Sequence, residues 1–284
     1  KHKTIDAENL GSIELNPEQI VFINCPGNVG PRGLRKLVTF VESGGFLFTT
    51  DWALKHIIEP GFPGYIKYNG RSTADEVVRV EILSEEDPFL KSLIGENDDP
   101  QWWLEGSSYP IQVLDKDKVE ILVKSKDIKQ RYNDSAVFVS FDHGQGKIYH
   151  MISHFYLQRA ETRTERHKNK GSDYLTEKLV MDDMRASKYK TMGADDANLA
   201  EVEAAYSSSS LMNKVLWDKK RRRKEKQKKR TRDVSDDKLS EAVKDDLALP
   251  KGQPVVRAAG VEERQVLGAP RTRQQPPPAV CAHI

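Results

Sequence analysis

Gln19-Ile20-Val21-Phe22-Ile23-Asn24-Cys25-Pro26-Gly27 and Gly44-Gly45-Phe46-Leu47-Phe48-Thr49-Thr50-Asp51 are the two stretches that decide the fold. Each is a short, uninterrupted apolar run bounded by turn residues, the signature of a strand covered on both faces in a parallel sheet. Between them Leu34, Leu37, Val38 and Val41 recur at the spacing of one helical face. Gly44-Gly45 stops that helix. Strand, helix and strand at this separation predict a βαβ crossover with a right-handed connection.

Outward from this unit, Trp52–Glu59 reads as a short helix closed by Pro60-Gly61-Phe62-Pro63-Gly64. Residues 77–83 alternate Val78, Val80 and Ile82 with Arg79 and Glu81, so a more exposed strand is expected. A helical turn is expected over 88–93, and strands over 111–114 and 119–123. Ala136–Phe141 and Lys147–Ile152 flank His143-Gly144-Gln145-Gly146 and predict a β-hairpin. Residues 172–184 and 195–217 are helical candidates. Little order is expected after Arg232, where Gln274-Gln275-Pro276-Pro277-Pro278 is of low complexity.

Composition agrees with one modest core and a weakly packed remainder. The apolar fraction is 37% and the charged fraction 31%, against usual values of about 45–50% and 25%. The overall charge of +2 is a blend: Lys214–Arg232 holds twelve Lys or Arg against Asp218 and Glu225, so this block carries +10 and the remainder −8. The organisation expected is an α/β domain over 1–160, a helical extension over 161–217, and a basic, disordered tail over 218–284.

The two cysteines, Cys25 and Cys281, do not form a disulfide framework and suit a reducing compartment. No apolar stretch approaches the ~20 residues of a membrane span, so no membrane partner is expected. Lys1-His2-Lys3-Thr4-Ile5-Asp6 has neither an apolar signal core nor a starting Met. The expected location is intracellular and cytoplasmic, or nuclear if the source is a eukaryote, with a domain truncated at its N-terminus. The acidic doublets Asp98-Asp99 and Asp182-Asp183 lack the spacing of a metal loop and read as solvated faces. No metal and no cofactor are expected.

Three pieces, taken in order, carry a family resemblance: Asn24-Cys25-Pro26-Gly27; the helix end Val41-Glu42-Ser43-Gly44-Gly45 leading to Asp51; and Gly144-Gln145-Gly146-Lys147-Ile148-Tyr149 followed by Ser153-His154. Together they resemble the class I glutamine amidotransferase-like superfamily, and most closely its trehalose-utilisation (ThuA-like) branch, over residues 15–160. The resemblance implies a three-layer, flavodoxin-like sheet with a terminal hairpin, and one or two further βα units ahead of Gln19. It also places Asp51 at the nucleophile-elbow position, with His154 in the same pocket. An amidotransferase carries a Cys there, within G-x-C-x-G, because the tight turn exposes the sulfur beside backbone N–H donors. Thr49-Thr50-Asp51-Trp52-Ala53 has neither the Cys nor the glycines, so no glutaminase activity is expected.

Two functional classes therefore stand side by side. One is a non-catalytic binding or scaffold module, for a small polar ligand or a protein partner. The other is a hydrolase-like or sugar-processing enzyme using Asp51 and His154. Asn24, Cys25, Trp52 and Ser153 share the strand-end edge where open α/β sheets bind ligands. Several residues also have purely structural readings: Asp51 as a helix N-cap, Cys25 as a buried thiol rather than a nucleophile, and His154 as a loop-bonded ring. His150 is expected to face solvent or a neighbouring side chain. Trp102-Trp103-Leu104-Glu105-Gly106-Ser107-Ser108-Tyr109-Pro110 combines aromatics with small polar residues before a strand; its Trp pair reads as a loop pair that fills a gap beside the sheet or lines a recognition surface. Lys219, Lys220, Arg221, Arg222, Arg223 and Lys224 open a basic run suited to a polyanion or an import receptor.

Overall fold

A computed structural model of the chain describes residues 2–83, 101–153, 165–177, 179–247 and 279–282. The helical turn expected over 88–93, Asp98-Asp99 and His154 lie outside the described residues. The chain divides into two compact units, Lys1–Lys219 with Pro278–Ile284, and Lys220–Pro277.

The first unit is built on a central mixed sheet. Its parallel half runs in the order β1 (His2–Ile5), the strand Ala279–Ala282, β2 (Ile20–Ile23), β3 (Phe46–Thr50) and β11 (Gly146–Met151). The expected βαβ unit is present: β2 and β3 lie parallel with Ile20 beside Phe46, joined by α1 (Gly30–Glu42). Every residue of β2 and β3 is buried, as their unbroken apolar runs require. Leu37, Phe40 and Val41 of α1 are buried in the same core as the strands.

From β11 the sheet turns antiparallel. Strand β10 (Ala136–His143) forms the expected hairpin with β11, with only Gly144 and Gln145 between them. Beyond β10 lie β8 (Ile111–Val113), β4 (Ile66–Tyr68) and β9 (Val119–Lys124). The glycine signals of the sequence meet here. The hairpin turn packs on the end of α1, where Gln145 donates its N–H to Glu42 O at 3.0 Å. A Cβ on Gly146 would collide with the carbonyl oxygens of Val41 and Gly45.

Several expectations are corrected. Residues 77–83 are not one strand: β5 (Glu76–Arg79) pairs with β7 (Gln101–Leu104), whereas β6 (Glu81–Ile82) pairs with β9. Trp102-Trp103 belongs to β7 rather than to a loop, and Trp102 is buried, its indole N–H reaching Ile152 O at 3.1 Å. The candidate over 172–184 is two helices, Asp173–Glu177 and Asp183–Thr191. Asp182-Asp183 is exposed, as expected of a solvated face, and Asp182 also caps the second helix by accepting the Arg185 N–H at 2.9 Å.

The last correction concerns the remainder of the chain. One helix runs from Leu199 to Leu247, well past Arg232. No Gly or Pro occurs between Gly193 and Pro250, so nothing in the backbone stops it. Its early part joins the core through Leu211 and Val215. Lys214 and Asp218 form a buried ion pair at 3.0 Å, and the Tyr149 hydroxyl donates to the same Asp218 oxygen. Residues 279–282 form a strand rather than disordered chain. The second unit is helical over 220–247. Among the described residues no helix is long and apolar enough to cross a membrane.

Candidate functional site

Because β2, β3 and β11 run parallel, their C-terminal ends share one edge. Asn24 and Cys25 follow β2, Asp51 and Trp52 follow β3, and Ser153 follows β11 closely. The Asp51 N–H donates to Met151 O at 2.9 Å, so the ladder holds to the last residue of both strands. Asn24, Cys25, Trp52 and Ser153 thus share one edge with Asp51, whereas His154 lies outside the described residues.

The chain turns sharply at this edge. Asp51 has φ +47° and Ser153 φ +63°, the left-handed region that non-glycine residues seldom enter. The segment Glu105–Tyr109 lies over both turns. The Tyr109 N–H donates to Asp51 Oδ1 at 2.8 Å, and the Ser108 hydroxyl donates to Asp51 Oδ2 at 3.1 Å. The Glu105 N–H donates to Ser153 Oγ at 3.2 Å. The segment is closed on itself through Thr73, whose hydroxyl donates to Glu105 O at 2.7 Å and accepts the Ser108 N–H at 3.0 Å. Glu105, Ser108 and Tyr109 belong to the aromatic and small-residue stretch 102–110, whereas nothing local in the sequence points to Thr73.

Asp51 is therefore not an N-cap. Its side chain is spent on a segment more than fifty residues away, and the helical turn that follows, Leu54–Ile58, has no side-chain cap. The carboxylate is 3% exposed. Burial pushes its pKa up to about 6, against the Tyr109 and Ser108 hydrogen bonds, which favour the charged form; the charge of Glu105 adds a smaller upward push.

Cys25 is half-buried beside this carboxylate. Burial, then the charges of Asp51 and Glu105, push its thiol up to about 11, against a hydrogen bond from the Trp52 N–H. A thiol so placed stays protonated at neutral pH and is a poor nucleophile. The turn beneath it is tight: Gly27 has φ +77°, and a Cβ there would sit 2.9 Å from Ala53 Cβ. Asn24 accepts the Thr50 hydroxyl through Oδ1.

Trp52 extends from the same turn. Its indole N–H donates to Ser107 O at 2.7 Å, and its ring stacks on Tyr109 at 5.6 Å. Tyr109 stacks in turn on Tyr68 at 4.0 Å, with Lys55 Nζ 5.8 Å from the Tyr68 ring centre. All three rings are half-buried.

Two other candidates are placed elsewhere. His150 does not face solvent: β11 has β3 on one side and β10 on the other, and the ring is fully buried. Its Nδ1 lies 2.8 Å from Thr49 Oγ1, and burial lowers its pKa to about 3, so it is neutral. Lys219 is not part of an exposed basic patch. Its ammonium donates to Pro17 O and, at 2.7 Å, to Gly44 O, and lies 4.6 Å from the centre of the Phe46 ring. Lys220 onward belongs to the second unit. Among the described residues no group of three His, Cys, Asp or Glu side chains could hold a metal ion.

No protein-family model matches the sequence, and no curated protein matches it. Among solved structures, the exo-β-1,4-mannosidase Op5Man5 from Opitutaceae bacterium strain TAV5 aligns with 70% of this chain and 26% of its own length, at 12% identity and a TM-score of 0.37. Gan42B, a GH42 β-galactosidase from G. stearothermophilus, aligns with 47% of this chain and 18% of its own, at 12% identity and a TM-score of 0.33. The cytoplasmic protein STM3548 from Salmonella typhimurium aligns with 72% of this chain and 78% of its own, at 9% identity and a TM-score of 0.35. The chain thus spans about a quarter or less of the two glycosidases, and at these TM-scores none of the likenesses establishes a shared fold or function.

Proposed function

We propose that the first unit is a non-catalytic binding module on an amidotransferase-like fold, taking a small polar ligand with an apolar face at the strand-end edge. The carrying observation is the use made of Asp51. The residue at the elbow position gives both carboxylate oxygens to Ser108 and Tyr109 and is almost wholly buried. It acts as the clamp of a surface segment, and the half-buried Trp52, Tyr109 and Tyr68 rings, with Glu105 and Lys55 nearby, supply the binding surface. Stacked aromatic faces beside polar groups suit a ligand that is wet on its rim and apolar on one side. The amidotransferase-like reading draws support from the left-handed turn at Asp51 and from the packing of Gly146 on the end of α1.

A second reading has one observation in its favour. A carboxyl with a pKa near 6 is poised for proton transfer near neutral pH, as an enzyme using Asp51 and His154 requires.

The test separates the two. Purified protein is assayed for ammonia release from glutamine and for hydrolysis of chromogenic glycosides, and titrated with mono- and disaccharides by tryptophan fluorescence. The binding module gives no turnover above buffer, and a saturable fluorescence change lost in Trp52→Ala. Turnover abolished by Asp51→Asn, in a variant that keeps its wild-type melting temperature, would establish the enzyme instead. No turnover and no saccharide response would overturn the proposed ligand class.

A further inference from the structure

We infer that the helical segment Lys220–Arg232 is a binding element for the phosphate backbone of duplex DNA, read by charge and shape rather than by base sequence. The segment lies within the helix Leu199–Leu247 and carries ten Lys or Arg against the single acid Glu225. It contains no apolar and no aromatic residue.

Three properties of this helix select the ligand. The first is charge density. At 1.5 Å per residue the segment is about 20 Å long, or roughly one positive charge per 2 Å of axis. Duplex DNA carries a negative charge about every 1.7 Å.

The second is the angular distribution. Basic residues at 220–224, 226, 228–230 and 232 are spread around the whole helix at 100° per residue, and most of the segment is exposed. A membrane-surface helix needs an apolar face, and this one has none. A single-stranded nucleic acid is gripped by aromatic stacking, which is absent here. A helix lying in a groove between two phosphate walls instead uses positive charge on opposite flanks. An α-helix with side chains, about 10–12 Å across, fits the roughly 12 Å B-form major groove. The deep, narrow major groove of duplex RNA excludes it.

The third is the rest of the chain. With the net charge at +2 overall, the residues outside 214–232 carry −8. They repel a polyanion, so attraction has to come through this element.

The experiment uses the full chain and a labelled 20-base-pair DNA duplex, followed by fluorescence anisotropy between 50 and 200 mM salt. About five neutralised phosphates predict a slope of log affinity on log salt near −4.5, a loss on the order of 500-fold over that range. Arg221→Gln, Arg222→Gln and Arg223→Gln together keep helix-favouring side chains. The triple variant should weaken binding at least about tenfold at 50 mM and flatten the slope by as much as about 3. Lys116→Gln with Lys118→Gln, an exposed pair far along the chain, should change neither. The inference is overturned by no duplex binding at 50 mM salt, by binding indifferent to salt, or by equal losses in the control pair. Tighter binding to single-stranded DNA, to duplex RNA or to phosphatidylserine vesicles than to duplex DNA overturns it as well.

Discussion

The carboxylate of Asp51 accepts the backbone N–H of Tyr109 at 2.8 Å across a sequence separation of 58 residues. Together with the Ser108 hydroxyl on the other oxygen, this contact ties the segment before β8 to the end of β3. Ser153 does the same one strand over, by accepting the Glu105 N–H. The strand-end surface is therefore held from below by two residues in left-handed turns, and its aromatic rings ride on that attachment.

Asp51→Ala should unfold more easily than wild type by about 2–4 kcal/mol at pH 7, the cost of two hydrogen bonds accepted by one carboxylate. It also leaves Ala in a left-handed conformation, which Asp and Asn tolerate better. Asp51→Asn can accept from Tyr109 through its oxygen and donate to Ser108 through its amide, so its loss at pH 7 should stay within about 1 kcal/mol. Urea unfolding of both variants checks the order. An Asn variant as unstable as the Ala variant would mean that the charge, not the hydrogen-bond pattern, holds the segment.

Asp51 and His150 make opposite contributions to pH stability. The Asp51 pKa is raised from 3.8 to about 6, so the folded state binds its proton more tightly than the unfolded state. Its contribution is fully present below pH 3.8 and is lost as pH rises through about 6. The His150 pKa is lowered from 6.5 to about 3, so the folded ring resists a proton that the unfolded chain accepts. That contribution is present above pH 6.5 and is lost as pH falls. Between pH 4.5 and 7 each amounts to about 2–3 kcal/mol, at 1.36 kcal/mol per pKa unit. Relative to wild type, Asp51→Asn should lose about 2 kcal/mol on going from pH 7 to 4.5, and His150→Gln should gain a similar amount. Urea midpoints at the two pH values measure both, and parallel profiles for all three proteins would show that neither group is perturbed.

The βαβ unit was legible because burial on both faces leaves an unmistakable run, Ile20–Ile23 and Phe46–Thr50, with Leu37 and Val41 at helical spacing between them. The hairpin was legible from its glycines. The position of Asp51 at the strand-end edge followed from the parallel register, but its partners did not. Tyr109 and Ser108 are joined to it only by tertiary structure, and no local pattern encodes a contact across more than fifty residues. Of the two alternatives for His150, the solvent-facing one fails because β11 is covered on both faces, and the ring meets the neighbouring Thr49 side chain instead. Lys219 departs from its expected place for a related reason. In sequence it is the first residue of a basic run, and only the docking of the helix shows it closing on Pro17, Gly44 and Phe46.

Lys214 and Asp218 are 3.0 Å apart, and both are nearly fully buried beneath the Tyr149 hydroxyl. Removing one partner strands the other charge away from water, which costs about 3–5 kcal/mol. Asp218→Ala should therefore lower the unfolding free energy by that amount. Lys214→Met with Asp218→Leu, which removes both charges and keeps the volume, should recover most of it. A double variant as unstable as Asp218→Ala alone would indicate that the Tyr149 hydrogen bond, rather than charge compensation, seats the helix on the sheet.

Trypsin should find its first sites between Lys220 and Arg232. The enzyme needs a locally unfolded stretch, and the ease of opening depends on what a segment packs against. Before Lys220 the helix is held by Leu211, Val215, the Lys214–Asp218 pair and the two carbonyl bonds of Lys219. From Lys220 onward the helix is weakened by like charges three and four residues apart. A time course followed by intact mass should therefore show an early fragment ending between residues 220 and 232, then a long-lived product with an unchanged melting temperature. Lys219 itself should be cut late, since its ammonium is engaged at Gly44 and Pro17. Early cleavage at Arg32 or Arg35 of α1, with 220–232 intact, would show that the basic helix is the better protected of the two and that it packs on something along its length.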